Sequence, residues 1–144
     1  RIIRELIEFE PKSHKTDIAQ ALKFLSSTQK KKAIVFVISD FISEDYEHTL
    51  KIASKKHDIT GIRVYDIREE KMPNLGMVSM LDAETGETHL INTGSKSVRI
   101  NYEKYYQEKL KYFKETFSKS GAGVVNTRVD ESYVTKLLGY FKSR

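Results

Sequence analysis

At 144 residues with a formal net charge of +5, 39% hydrophobic and 31% charged residues, the chain has the composition of one folded globular domain, not of a disordered or fibrous segment. No apolar run approaches the roughly 20 residues needed to cross a bilayer, and no secretory leader is visible at Arg1. The absence of cysteine excludes disulfides, thiolate metal sites and a cysteine nucleophile, and suits a reducing, cytoplasmic compartment.

In chain order, Arg1 to Phe9 reads as a helix stopped before Pro11. Thr16 or Asp17 can cap a second helix with Ile18, Leu22 and Leu25 on one face. Ala33 to Ser39 is a run of Val, Ile and Phe without polar alternation, the pattern of a strand buried on both faces in a parallel sheet. A helix from about Ser43 to Lys56 follows, with Ser43 as its cap and Tyr46, Leu50 and Ala53 facing inward. Ile59 to Tyr65 reads as a second buried strand, so strand, helix and strand form a right-handed parallel crossover.

The alternation then breaks. Met77 to Leu81 and Glu87 to Ile91 flank the turn Ala83-Glu84-Thr85-Gly86, which predicts a β-hairpin inserted into an α/β framework. A long helix over about Ser97 to Ser118 carries Tyr102, Tyr106, Leu110, Phe113 and Phe117 near one face, a stripe expected to pack in the core. Gly121 and Gly123 stop it. Val124 to Thr127 makes a third strand, and Glu131 to Lys142 a last helix with Val134, Leu137, Leu138 and Phe141 inward.

The motifs exclude more than they include. No nucleophile elbow, Walker or dinucleotide-binding pattern is present, and His14, His48, His57 and His89 lack metal-ligand spacing. What remains is oxygen chemistry. Asp40 and Asp66 fall at the carboxyl ends of parallel strands, where ligands of open α/β sheets bind, and Thr16 sits in a loop that could lie near Asp40. Hydroxyl and carboxylate oxygens suit a hard cation such as Mg²⁺; the alternative role for such aspartates is helix capping. A Mg²⁺-dependent phosphoryl-transfer or nuclease enzyme using Asp40 and Asp66 would need a third carboxylate, for which Glu44, Asp45 and Asp130 are the candidates. The positive charge also admits a basic nucleic-acid-binding domain, but the lysines are scattered over Lys23, Lys30 to Lys32, Lys51, Lys55, Lys56 and Lys104 to Lys119, as on solvated helix faces.

Four stretches carry a family resemblance: Lys15 to Leu22 (KTDIAQAL), Val35 to Phe41 (VFVISDF), Lys56 to Glu87, and Val125 to the end. In their order and spacing they resemble the carboxyl-terminal half of the bacterial domain of unknown function 58 family, whose core is a von Willebrand factor A-like domain. The resemblance implies a three-layer α/β/α, Rossmann-like parallel sheet with the hairpin as an insertion. It further implies that residues 1–144 are a single domain, the later part of such a fold without its first strands. Domains of this kind carry a metal-ion-dependent adhesion site; its threonine matches Thr16 and its later aspartate matches Asp40, while the Asp-x-Ser-x-Ser loop has no counterpart. The metal site, with Mg²⁺ as the expected ion, is therefore incomplete in this chain. The implied role is non-enzymatic: a protein-interaction domain working with a MoxR-type AAA+ ATPase, in a protein that could be membrane-associated at full length. A fold lacking its first strands would expose the edge of the strand at 33–39, which predicts a homo-oligomer through that edge.

Overall fold

The computed structural model describes residues 2–10, 16–82 and 85–143. It is a mixed α/β structure built on a three-stranded parallel sheet, with a separate two-stranded antiparallel hairpin. The expected Pro11 stop, His14, Lys15 at the head of the KTDIAQAL match, and the turn residues Ala83 and Glu84 lie outside the described residues.

Helix α1 spans Ile2–Glu8 and α2 spans Ile18–Thr28. Asp17 caps α2, its carboxylate accepting the backbone N–H of Gln20 at 2.7 Å, and Ile18 and Leu22 are buried. Strand β1 (Ile34–Ser39) leads through α3 (Glu47–Lys56) to β2 (Asp58–Tyr65), paired parallel to β1. A single turn, α4 (Ile67–Glu70), was not expected from the sequence. The hairpin β3 (Met77–Leu81) and β4 (Thr88–Asn92) follows, then α5 (Lys96–Lys119), β5 (Gly123–Arg128) and α6 (Tyr133–Lys142). β5 adds parallel to β2, giving the order β1-β2-β5.

The two faces of the sheet are covered unequally. Val35, Val37, Ile59, Gly61 and Val124 share one face by register and strand alternation. That face meets the core formed with Ile18, Leu22, Phe41, Tyr46, Leu50, Phe113 and Phe117 from α2, α3, α5 and the loop after β1. The aromatic stripe expected on α5 is therefore core, with Tyr106, Phe113 and Phe117 buried. Gly61 is where helix and sheet meet most closely: a Cβ there would lie 2.5 Å from the Phe117 ring and 2.9 Å from the Phe113 ring.

On the opposite face α6 sets Tyr140 against the sheet, its hydroxyl 3.1 Å from Thr60 Oγ1 and in the space that a side chain at Gly123 would fill. Here two expectations are corrected. β1 is not buried on both faces, because Ile34, Phe36 and Ile38 are 68%, 45% and 67% exposed. α6 begins at Tyr133, not Glu131, and its Val134, Leu138 and Phe141 are about half exposed instead of inward. Both departures go together: α6 anchors over β2 and β5 through Tyr140 and meets β1 at the Phe36–Phe141 edge contact of 6.0 Å, while Ile34 and Ile38 stay exposed.

The start of α3 is corrected as well. Ser43 is not its cap; the helix starts at Glu47 after Tyr46, because Phe41 and Asp45 both adopt left-handed backbone (φ 59°) and the chain winds through a loop first. The inward positions Tyr46, Leu50 and Ala53 are buried as expected.

Substituting Gly61→Ala forces the Phe117 and Phe113 rings to move within a packed core. The expected cost is about 2 kcal/mol, seen as a lower urea midpoint at unchanged denaturant slope. An unchanged midpoint would contradict this close approach.

Candidate rim site at the carboxyl ends of the strands

β1 ends at Ser39, and the next residues turn back on themselves. The Asp40 carboxylate Oδ1 accepts the N–H of Ile42 at 3.1 Å and the hydroxyl of Ser39 at 3.3 Å, while Ser39 Oγ accepts the N–H of Phe41 at 3.1 Å. These short-range bonds, an Asx-type turn, hold Asp40 on the rim. Phe41 nails the turn down: it is buried, stacked on Phe113 at 4.1 Å between ring centres, and edge-on to Phe117 at 5.2 Å. A large ring in left-handed backbone is an uncommon conformation, and the burial of that ring offsets it.

Thr16 is exposed in the loop just before α2. Ser43 Oγ donates to the Thr16 carbonyl at 3.5 Å, so the loop after β1 and the loop before α2 adjoin. The two residues that the family resemblance singles out thus sit on neighbouring loops at one end of the sheet.

Asp66 lies at the carboxyl end of β2, but its carboxylate accepts the N–H of Arg68 at 2.9 Å and caps α4. Two of the three candidate third carboxylates are engaged elsewhere, and Asp45 lies in the loop before α3. Glu44 is ion-paired with Lys109, and Asp130 accepts from Arg128 Nε at 2.8 Å. Among the described residues no group of three or more His, Cys, Asp or Glu side chains is placed to hold a metal ion. Three of the four histidines lie within the described residues, and His57 is buried at the end of α3.

One component of this rim escaped the sequence reading: Arg63. It is 3% exposed, donates Nε–H to the Asp40 carbonyl at 3.1 Å and a guanidinium N–H to the Tyr106 hydroxyl, and lies over the rings of Tyr65 and Tyr106 at 4.3 and 5.0 Å. A buried guanidinium needs acceptors and π faces to replace its water. The only sequence signal was a cation inside the otherwise apolar strand ITGIRVY. The cavity between Asp40, Arg63, Tyr105 and Tyr106 is about 10 Å³, no more than one water. Ligand chemistry at this rim therefore belongs on its outside.

Glu69 completes the electrostatics. Burial raises its carboxyl above the ordinary value of 4.5, and the charges of Asp40 and Asp66 raise it further, against a lowering backbone hydrogen bond at Asp66 and the Arg63 charge. A second surface feature adjoins Glu69 through Tyr102. Beneath the hairpin an apolar cleft of about 270 Å³ is lined by Met72, Pro73, Leu75, Val78, Met80 and Tyr102, and Met77, Leu81 and Leu90 on the hairpin are exposed.

The family described as protein of unknown function DUF58 matches residues 1–112. An uncharacterized protein of Mycobacterium avium is 26% identical over 129 residues, which cover 89% of this chain and 76% of that protein. An uncharacterized protein of Mycobacterium tuberculosis is 22% identical over 135 residues, 93% of this chain and 42% of that protein. The chain thus spans less than half the length of this second relative. Among solved structures, conserved hypothetical protein BatB from Bacteroides thetaiotaomicron is similar at 18% identity with a TM-score of 0.42, covering 89% of this chain and 58% of that one. A likeness at that level carries no argument about function or fold.

Because the Glu69 carboxyl is raised on folding, the stability it contributes is complete below its unfolded value and is lost as pH rises through its folded value. Glu69→Gln should therefore flatten the fall in stability between mildly acidic and neutral pH. Urea midpoints across that range test this, and parallel curves for the two proteins would refute it.

Proposed function

The chain belongs to the family of proteins of unknown function DUF58, and from that membership we propose that it is a non-enzymatic protein-interaction domain of von Willebrand factor A-like fold. Its binding surface is the rim at the carboxyl ends of β1 and β2. The observation that carries this reading is the placement of Asp40 and Thr16 on adjoining loops there, joined through Ser43 and the Thr16 carbonyl.

The donor set fits part of a hard-cation shell. Asp40 Oδ1 accepts from Ile42 and Ser39; Asp40 Oδ2 and the Thr16 side chain are the further oxygens of the exposed residues on these loops. Mg²⁺ keeps several waters and takes few protein ligands, so two such donors suit it better than they suit zinc. A bound cation would supply a fixed positive charge for a partner carboxylate to complete. Arg63 secures the Asp40 carbonyl from beneath and so orients the residue without competing for its side chain. The partner proposed is a MoxR-type AAA+ ATPase, which rests on the family resemblance, and the compartment proposed is cytoplasmic, which rests on the absence of cysteine.

Three further features favour interaction over catalysis. Of the candidate third carboxylates Glu44, Asp45 and Asp130, Glu44 and Asp130 are tied up in ion pairs. Asp66 spends its carboxylate on a helix cap. The hairpin exposes Met77, Leu81 and Leu90, a contact surface more than a reaction site. Of the lysines of α5, Lys104, Lys111 and Lys119 pair within the helix and Lys109 pairs with Glu44, which argues against a phosphate-binding stripe. No helix among the described residues is long and apolar enough to cross a membrane.

Calorimetric titration of Mg²⁺ and Mn²⁺ tests the reading. Weak saturable binding by the native chain, lost in Asp40→Ala while the fold is retained, is the expected result. Identical heats for the native and Asp40→Ala proteins would remove the cation from the proposal.

A further inference from the structure

The three methionines of the chain, Met72, Met77 and Met80, all fall within the hairpin or just before it. Met72 and Met80 line the cleft beneath the hairpin, together with Leu75 and Val78. Met77 lies on the opposite face of β3 from Val78 and Met80 by strand alternation. Thioether side chains are unbranched and polarizable, so they repack around apolar groups of different shape. The frame that carries them is fixed. Thr93 is 2% exposed; its hydroxyl accepts the N–H of Leu75 at 2.9 Å and donates to the Gly76 carbonyl at 2.8 Å, which ties the entry of β3 to the exit of β4. Adaptable walls on a preorganised frame lower the cost of binding an apolar ligand. At about 270 Å³ the cleft is smaller than the roughly 300–1,000 Å³ of small-molecule sites and suits a few aliphatic side chains.

Two guanidiniums give this apolar cleft a sign. Arg68 lines it, is exposed, and pairs with no carboxylate among the described residues. Arg99 adjoins it, donating to the carbonyls of Thr93 at 2.6 Å and Gly94 at 2.9 Å, neutral acceptors that leave its charge uncompensated. The carboxylates of α4 pair with neither: Glu70 accepts from the Tyr106 hydroxyl at 3.4 Å, and Glu69 Oε2 is buried without a hydrogen-bond partner.

We infer that the cleft docks an acidic amphipathic helix of a partner protein. Its aliphatic side chains seat between Met72, Val78 and Met80, and its carboxylates meet Arg68 and Arg99. Such a helix presents aliphatic anchors along one stripe with charges beside them, the complement of an apolar cleft with a cationic border. A basic helix would bring like charges to the same border. The inference rests on the reading of this chain as an interaction domain and adds the chemistry of its partner; it uses no metal and neither Asp40 nor Thr16.

The methionines serve as reporters with a built-in control. In protein labelled with methyl-¹³C methionine, a synthetic Leu/Glu helix with leucines at i, i+3, i+4 and i+7 is the probe. It is expected to shift the Met72 and Met80 methyl signals saturably and to leave Met77 in place. A Leu/Lys helix of the same pattern is expected to bind about tenfold more weakly at low salt. Arg68→Glu is expected to weaken the Leu/Glu helix about fivefold while the methyl spectrum of the free protein is retained. Equal binding of the two helices, unresponsive Met72 and Met80 signals, or a shift confined to Met77 would overturn the inference. So would dimerisation of the chain through the cleft. Loss of binding in the protein with any natural residues that precede Arg1 in place would overturn it too, because the cleft would then belong to the protein's own chain. Mn²⁺ binding at Asp40, followed in the same samples, separates a failure here from a failure of the rim reading.

Discussion

The close approach of α5 to the middle strand governs the rest of the molecule. Phe113 and Phe117 fill the space above Gly61 that any side chain would occupy, and this brings two rings down onto β2. Phe41 then stacks on Phe113 and meets Phe117 edge-on, which draws the chain leaving β1 into left-handed backbone. One aromatic cluster thus joins the sheet, the long helix and the loop that presents Asp40. Aromatic pairs of this geometry add about 0.5–1.5 kcal/mol each beyond area burial, enough to hold an uncommon backbone conformation at a single residue.

The second constraint is electrostatic. Arg63 sits one strand over from Asp40 and is almost wholly buried, so its guanidinium must be satisfied by what surrounds it. The Asp40 carbonyl, the Tyr106 hydroxyl and two aromatic faces do this. Burial in the same region raises the Glu69 carboxyl, as do the nearby charges of Asp40 and Asp66. The rim therefore has a rigid, positively charged underside and an acidic outer lip. The cavity enclosed between Asp40 and Arg63 holds no more than one water, which accords with the docking role proposed for the outside of the rim.

Much of the architecture was legible because hydrophobic periodicity and strand–helix alternation agree along the chain. The Asp17 cap, the inward residues of α3, the α5 stripe and the hairpin all follow from local rules. What was not legible depended on partners distant in sequence. An apolar run such as IVFVIS has the same composition whether both faces are covered or one is open, and only the position of α6 decides. Arg63 was not singled out, because its acceptors come from the loop after β1 and from α5. The late start of α3 reflects the burial of Phe41, a tertiary demand that overrides the capping potential of Ser43. Thr16 and Asp40 were marked by oxygen chemistry at strand and helix ends and by family resemblance, and the fold sets their loops side by side.

The rim around Asp40 is the surface proposed to bind the cation and the partner. Paramagnetic broadening of backbone amide signals by Mn²⁺ addresses it residue by residue. Broadening centred on Ser39 to Ser43 and on Thr16, with the hairpin strands Met77–Leu81 and Thr88–Asn92 unaffected, is the predicted outcome. Broadening centred instead on the carboxylates of α5, or spread evenly over the surface, would contradict it.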